Sequence, residues 1–166
     1  MIKPTVHVLR KSGNVDLSKR LEDVAKRDTL VGVPQFDSSR PGDELNNAEL
    51  AFLHTEGSPA QRIPARPFLQ PSIKANIAEI AELQKRVIKS ALAGKADLAF
   101  RNQEKLGFHA QILVQNWFTD PRNNFAPNAP YTIWKKGSDQ PLIDTGRLRA
   151  SIGYIVRENG QDAPNF

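Results

Sequence analysis

The sequence predicts an α+β fold, a small antiparallel sheet packed against two long antiparallel helices, with long extended loops between. Three observations carry this expectation. Two long amphipathic segments stand back to back in the middle of the chain, separated only by Ala93-Gly94-Lys95. Short β-branched or alternating segments lie near both ends, and proline-rich stretches separate the periodic pieces. A chain of 166 residues suits one such domain with a modest core, whereas two domains would leave each half short of buried surface. We therefore read residues 1–166 as a single domain, with 1–15 an N-terminal arm or edge strand and 158–166 a polar tail.

The elements follow in order. Thr5 to Leu9 alternates and ends at Lys11-Ser-Gly-Asn. Asp16 is placed to cap a helix over Leu17 to Arg27, where Leu17, Leu21, Val24 and Ala25 share one face. Thr29 to Val33 is β-branched, stops at Pro34 and reads as a strand. Residues 34–46 read as a long loop. Asn46 or Asn47 then caps a short helix through Leu53, closed by Gly57. Ser58 to Pro67 contains three prolines and predicts a stiff, extended path.

From Pro71-Ser72 to Leu92, the residues Ile73, Ile77, Ile80, Val87, Ile88 and Ala91 recur at helical spacing. The second long helix is expected from Asp97 to Phe118, with Leu98, Leu106, Ile112, Leu113 and Trp117 broadly on one side. Gly107 inside it costs about 1 kcal/mol relative to alanine, which predicts a close helix–helix contact there. Two such helices joined by a short turn make an antiparallel pair. Asp120-Pro121 ends the second, and 121–141 reads as another long loop with four prolines. Asp144 or Thr145 is expected to cap one helical turn, Gly146 to Ala150, before a strand in which Ile152, Tyr154 and Val156 alternate.

Composition narrows the chemistry. There are no cysteines, which removes disulfides, thiol nucleophiles and cysteine-based metal sites. No stretch approaches the roughly 20 apolar residues of a membrane helix, and Met1 to Leu9 lacks a signal-peptide core. The net charge of +5 raises nucleic acid as a partner, but basic and acidic residues alternate along most of the chain, as on a solvated mixed surface. His7, His54 and His109 form no metal-ligand spacing, and no phosphate loop or nucleophile elbow is present. Leu142-Ile-Asp-Thr-Gly resembles the active-site loop of retroviral-type aspartic proteases. However, Arg147 follows where those enzymes carry a small residue, and a cation there favours the ionised carboxylate over a shared proton. We read the segment as a helix cap, expect no cofactor and no metal, and expect no enzyme. Trp117, Phe118, Phe125, Tyr131 and Trp134, beside Lys135 and Lys136, read as packing or interface residues. Their alternative is a basic nucleic-acid-binding module using the aromatic–lysine loop 117–136.

Four segments, in order, also resemble one family. They are the helix Asn47 to Gly57 entering Arg62-Ile-Pro-Ala-Arg-Pro-Phe-Leu, the long helix beginning near there, the Leu106-Gly-x-x-x-Gln111 helix, and Pro141-Leu-Ile-Asp-Thr-Gly-Arg-Leu-Arg-Ala-Ser-Ile-Gly-Tyr. This arrangement is similar to that of the tail-completion and virion-morphogenesis proteins of tailed phages, and it covers about residues 47–157. The resemblance implies a structural virion protein that forms a ring at the head–tail junction, where it completes the tail or connects it to the head. It implies copies of itself as partners (a hexamer among the ring sizes), neighbouring neck, connector or tail-tube proteins, and non-specific proximity to genomic DNA in the channel. It implies no membrane, and a location in the virion after assembly in the host cytoplasm. Arg66, Pro67 and Phe68 are then expected to hold the loop-to-helix junction. Arg147 and Arg149, beside Asp144, Thr145 and Gly146, are expected to make charged contacts to a neighbouring subunit or to Asp144.

Overall fold

A computed structural model describes residues 17–34 and 45–158. The expected Thr5–Leu9 arm, the Asp16 cap, most of the 34–46 loop and the tail beyond Glu158 lie outside the described residues. The architecture is α+β: seven helices and a two-stranded antiparallel sheet among the described residues. Among those residues no helix is long and apolar enough to cross a membrane.

Helix α1 spans Leu17–Ala25 and strand β1 spans Arg27–Gly32, so the strand starts earlier than its β-branched core indicates. The apolar face expected on α1 is not buried: Leu17 and Leu21 are exposed, and the helix is tied down by Arg20 Nη1 donating to the Leu92 carbonyl at 2.6 Å. Helix α2, Asn47–Glu56, is set by a reciprocal capping box. The Glu49 amide donates to Asn46 Oδ1 and the Asn46 amide donates to Glu49 Oε2, both at 2.9 Å. Asn46, not Asn47, is the cap.

The single helix expected from Pro71 to Leu92 is two: α3 (Leu69–Ala75) and α4 (Ile77–Leu92). Asn76 separates them at φ −117°, ψ 21°, with its Nδ2 donating to the Ser72 carbonyl at 2.8 Å. An asparagine side chain that competes for a helical carbonyl breaks the ladder in this way. Pro71 falls in the first turn of α3, where amides have no helical partner to lose, so the helix begins before it. Helix α5 spans Ala96–Trp117 and runs antiparallel to α4 across a turn at Gly94, whose φ is 75°.

One face of α5 buries Ala99, Gln103, Leu106, Gly107, Ala110, Val114 and Trp117. Strand β2, Gly153–Glu158, pairs with β1 from Arg27↔Glu158 to Gly32↔Gly153. The pairing is supported by Arg157 Nη2 against Asp28 Oδ2 at 3.1 Å. Thr29, paired with Val156, and Tyr154 share the sheet face that meets α5 at Gly107. A Cβ on Gly107 would lie 2.3 Å from Tyr154 Cδ2 and 3.0 Å from Thr29 Cγ2. Gly107 thus marks a helix–sheet contact, correcting the expected helix–helix one. Clean alternation on the last strand also fails. Ile152 is buried but precedes β2, and the strand residues from Gly153 to Arg157 are all half-buried, because a two-stranded ribbon is too narrow to bury one face fully.

The core gathers around the C-terminal end of α5. Ala51, Phe68, Val114, Trp117, Phe118, Leu148 and Ile152 form it, with Val31, Leu50, Ile73, Phe125, Leu142 and Ile143 packed around them. The stretch 121–141, expected as loop, contains a 3-10 turn at Pro121–Asn123 and helix α6, Pro130–Lys136. Pro130 at the first position and Gly137, left-handed at φ 67°, are its start and stop signals. Helix α7 is Arg147–Ala150.

Candidate functional site

The two distant strings singled out in the sequence, 62–68 and 141–149, meet at one place. Their stretches 62–66 and 142–148 wall an open cleft of about 1010 Å³, completed by the end of α2 and the inner face of α6. Its charged lining is Arg62, Arg66, Lys136 and Arg147 against Glu56 and Asp144.

The loop after α2 is shaped for this position. Gly57 caps α2 at φ 74°, and a Cβ there would lie 2.7 Å from the Ala65 amide nitrogen. Only glycine permits both the turn and the close backbone approach. Ser58 and Ile63 then form an antiparallel bridge, donating to each other's carbonyls at 2.8 and 2.9 Å around a 3-10 turn at Pro59–Gln61. The expected extended path is therefore a closed loop. It delivers Arg66, whose amide donates to the His54 carbonyl at 2.6 Å.

Arg66 is 6 % exposed. Its Nε donates to the Ala126 carbonyl at 2.8 Å and its Nη2 to the Pro127 carbonyl at 2.9 Å. One side chain thus ties the α2 loop to the segment between α5 and α6. Phe68 is fully buried, its ring centroid 4.9 Å from that of Phe118. Pro67, between them, is exposed.

The closing string behaves differently from its expectation. Neither Asp144 nor Thr145 caps α7; both are exposed, and the chain enters the helix through Gly146 at φ 78°, with no side-chain cap bond. The left-handed glycine, not a cap, redirects the backbone. Leu148 from this helix enters the core. Arg149 lies outside the cleft and its Nη2 reaches Asn116 Oδ1 at 3.4 Å, so its contact is with α5 and not with Asp144. Arg62 and Leu142, both lining the cleft, hold left-handed backbone at φ 57° and 60°. Such conformations are costly for residues with a Cβ and persist where surrounding structure enforces them.

The electrostatics of the cleft run one way. Burial lowers the pKa of His54, and Arg66 lowers it further. Burial also lowers that of Arg66 itself. The Lys136 ammonium is pushed down by burial, opposed by Asp144 and Asp139 and reinforced by Arg66. Among the described residues His54 Nδ1 is buried without a hydrogen-bond partner, consistent with a neutral ring beside a guanidinium. Arg62, His54 and Lys136 were not marked by sequence reasoning as one site. The only trace was the four-residue spacing of Thr132 and Lys136, which puts both on one face of α6.

The aromatic group 117–134 divides. Trp117 and Phe118 belong to the core and Phe125 packs against it, whereas Tyr131 and Trp134 are 68 % and 77 % exposed. These two lie on α6 with ring centroids 5.9 Å apart, beside exposed Lys135 and outside the cleft lining. No cluster of three or more histidine, aspartate or glutamate side chains suited to a metal occurs among the described residues. Comparison of the chain with protein-family models, with curated proteins and with solved structures finds no match.

Proposed function

We propose that the chain is a structural virion protein of a tailed phage, one that forms a ring at the head–tail junction and either completes the tail or connects it to the head. The observation that supports this reading is the convergence of the two family-like strings, 62–68 and 141–149, on one cleft. They are far apart in sequence, and their Arg66 and Phe68 fix a junction between α2, α3 and the α5–α6 connection. Residues so placed hold the shape of the subunit, as a structural protein requires. A ring of identical copies requires two different surfaces on each copy that meet head to tail and close. The exposed aromatic face of α6, Tyr131 and Trp134, is one surface open to such a contact.

The test is the mass of the purified protein in solution together with a search for the chain in purified virions of the phage that encodes it. A monomer or closed ring in solution, with a fixed low copy number at the virion neck, is the expected result. Absence from virions refutes the proposal.

A second reading has one observation in its favour. Tyr131 and Trp134 stand exposed beside Lys135, the combination that stacks on and attracts single-stranded nucleic acid. This basic nucleic-acid-binding module would bind oligonucleotides with affinity falling steeply as salt rises. Binding that is weak or indifferent to salt removes it.

A further inference from the structure

Two cations of the cleft, Arg66 and Lys136, form no ion pair with a carboxylate among the described residues. Arg66 is buried, yet its side-chain hydrogen bonds go only to two carbonyls, and among the described residues no carboxylate pairs with it. Its Nη1 makes no hydrogen bond there. Burial is the cause that moves its pKa, with no carboxylate raising it in return. Lys136 stands in the same cleft under the same pressure from burial and from Arg66, only partly relieved by Asp144 and Asp139. A buried cation is costly until an opposite charge and hydrogen bonds complete it. A guanidinium is best completed by a planar carboxylate, which its fork matches in two parallel bonds.

We propose that this cleft is a docking site for an acidic peptide segment of a partner protein, with a side-chain carboxylate seated between Arg66 and Lys136. The apolar wall fits the residues flanking that carboxylate. Leu50, Ile63, Pro64 and Leu142 line the cleft and offer contact for neighbouring aliphatic side chains. A nucleic-acid strand fits it poorly on two counts. Glu56 and Asp144 on the walls repel a continuous run of phosphates, and the exposed rings of Tyr131 and Trp134, which bases would stack on, lie outside the cleft. The inference stands independently of the ring reading, since it rests on the cleft's own cations and apolar wall.

Fluorescence anisotropy on the full chain tests it. The probes are a short labelled peptide carrying one glutamate flanked by leucines in an otherwise uncharged sequence, its glutamine counterpart, and a labelled oligothymidylate of similar length. The glutamate peptide is expected to bind, and Arg66→Gln and Lys136→Gln are each expected to weaken it by at least about tenfold, the scale seen when one partner of a desolvated charge pair is removed. Lys105→Gln, an exposed charge on α5 outside the cleft, is expected to leave binding unchanged. Because Arg66 also ties segments together, Arg66→Gln can fail to fold; Lys136→Gln, on the surface of α6, then carries the test alone. The proposal is overturned by equal binding of the glutamine peptide or by undiminished binding to Lys136→Gln. It is also overturned if oligothymidylate displaces the glutamate peptide at lower concentration than the unlabelled peptide does.

Discussion

Replacing Gly107 with alanine tests the helix–sheet contact most directly, because two effects of known sign oppose each other there. Alanine in mid-helix gains about 1 kcal/mol over glycine. Against that, the new Cβ would stand 2.3 Å from Tyr154 Cδ2, 2.9 Å from Cε2 and 3.0 Å from Thr29 Cγ2. The ring is not free to retreat. Its hydroxyl donates to Glu104 Oε2 at 3.1 Å and its edge meets Phe108 at a centroid distance of 6.3 Å. Losing the hydrogen bond costs about 1 kcal/mol, and overpacking costs about 1–3 kcal/mol. Discounting the Phe108 contact, which lies at the surface, the expected net loss for Gly107→Ala is about 1–3 kcal/mol. With a urea slope of about 2 kcal/mol per molar, the midpoint falls by roughly 0.5–1.5 M. Repeating the substitution in a Tyr154→Ala background removes the two ring contacts and leaves only the Thr29 methyl at 3.0 Å, and there the loss from alanine is expected to shrink toward zero or reverse by up to about 1 kcal/mol. A midpoint that rises or stays constant when Gly107→Ala is made in the native sequence refutes the contact.

Two further outcomes follow from the junction and the cleft. Phe68→Ala empties a fully buried aromatic site beside Phe118 and is expected to cost about 3–5 kcal/mol, while Pro67→Ala next to it, exposed, costs far less; comparable losses in thermal unfolding would contradict this placement. His54 supplies a pH dependence. Its folded pKa is depressed below the usual 6.5 by burial and by Arg66, so well above 6.5 the ring is neutral in both states and adds no slope. As pH falls below 6.5 the unfolded chain takes up the proton first, and stability is lost until the pH passes the folded value. The difference between native and His54→Gln unfolding curves across pH 8 to 5 should show that loss, and parallel curves would remove the assignment.

The parts of the fold written in local chemistry were the parts legible in the sequence. Helical spacing from Ile80 to Ala91 and from Leu106 to Trp117, with Gly94 between, marks the α4–α5 hairpin. Asn46 with Glu49 three residues on, and Gly57 at the far end, bound α2 through bonds that their own neighbours make. Legibility failed where a choice depended on one torsion or on distant chain. The apolar spacing of Ile73, Ile77 and Ile80 runs straight through Asn76, so periodicity alone conceals the break that a side-chain bond to Ser72 creates. Helix α6 buries no residue and is short, so no apolar stripe announces it. Gly107 predicts a close approach but not its partner, since Tyr154 arrives from far along the chain. The cleft is the extreme case: Arg66, Lys136 and Asp144 come from three separate segments, and only the tertiary fold makes them neighbours.

The lopsided core sets how this molecule yields. The last turns of α5 hold Val114 and Trp117 in tight aromatic packing, whereas its first turns bury little beyond Ala99 and Gln103. Around the α4–α5 turn, Leu92, Leu98 and Phe100 remain exposed. One continuous helix thus joins two kinds of packing: bulky and aromatic at its end, small and polar at its start, where Arg20 of α1 and the Asn102–Ser90 hydrogen bond hold the hairpin together. The two ends are held by different chemistry, one by exclusion of water from large side chains and the other by hydrogen bonds between polar groups that water can reach. Raising denaturant is therefore expected to expose the amides around Ala99 to hydrogen exchange sooner than those around Val114.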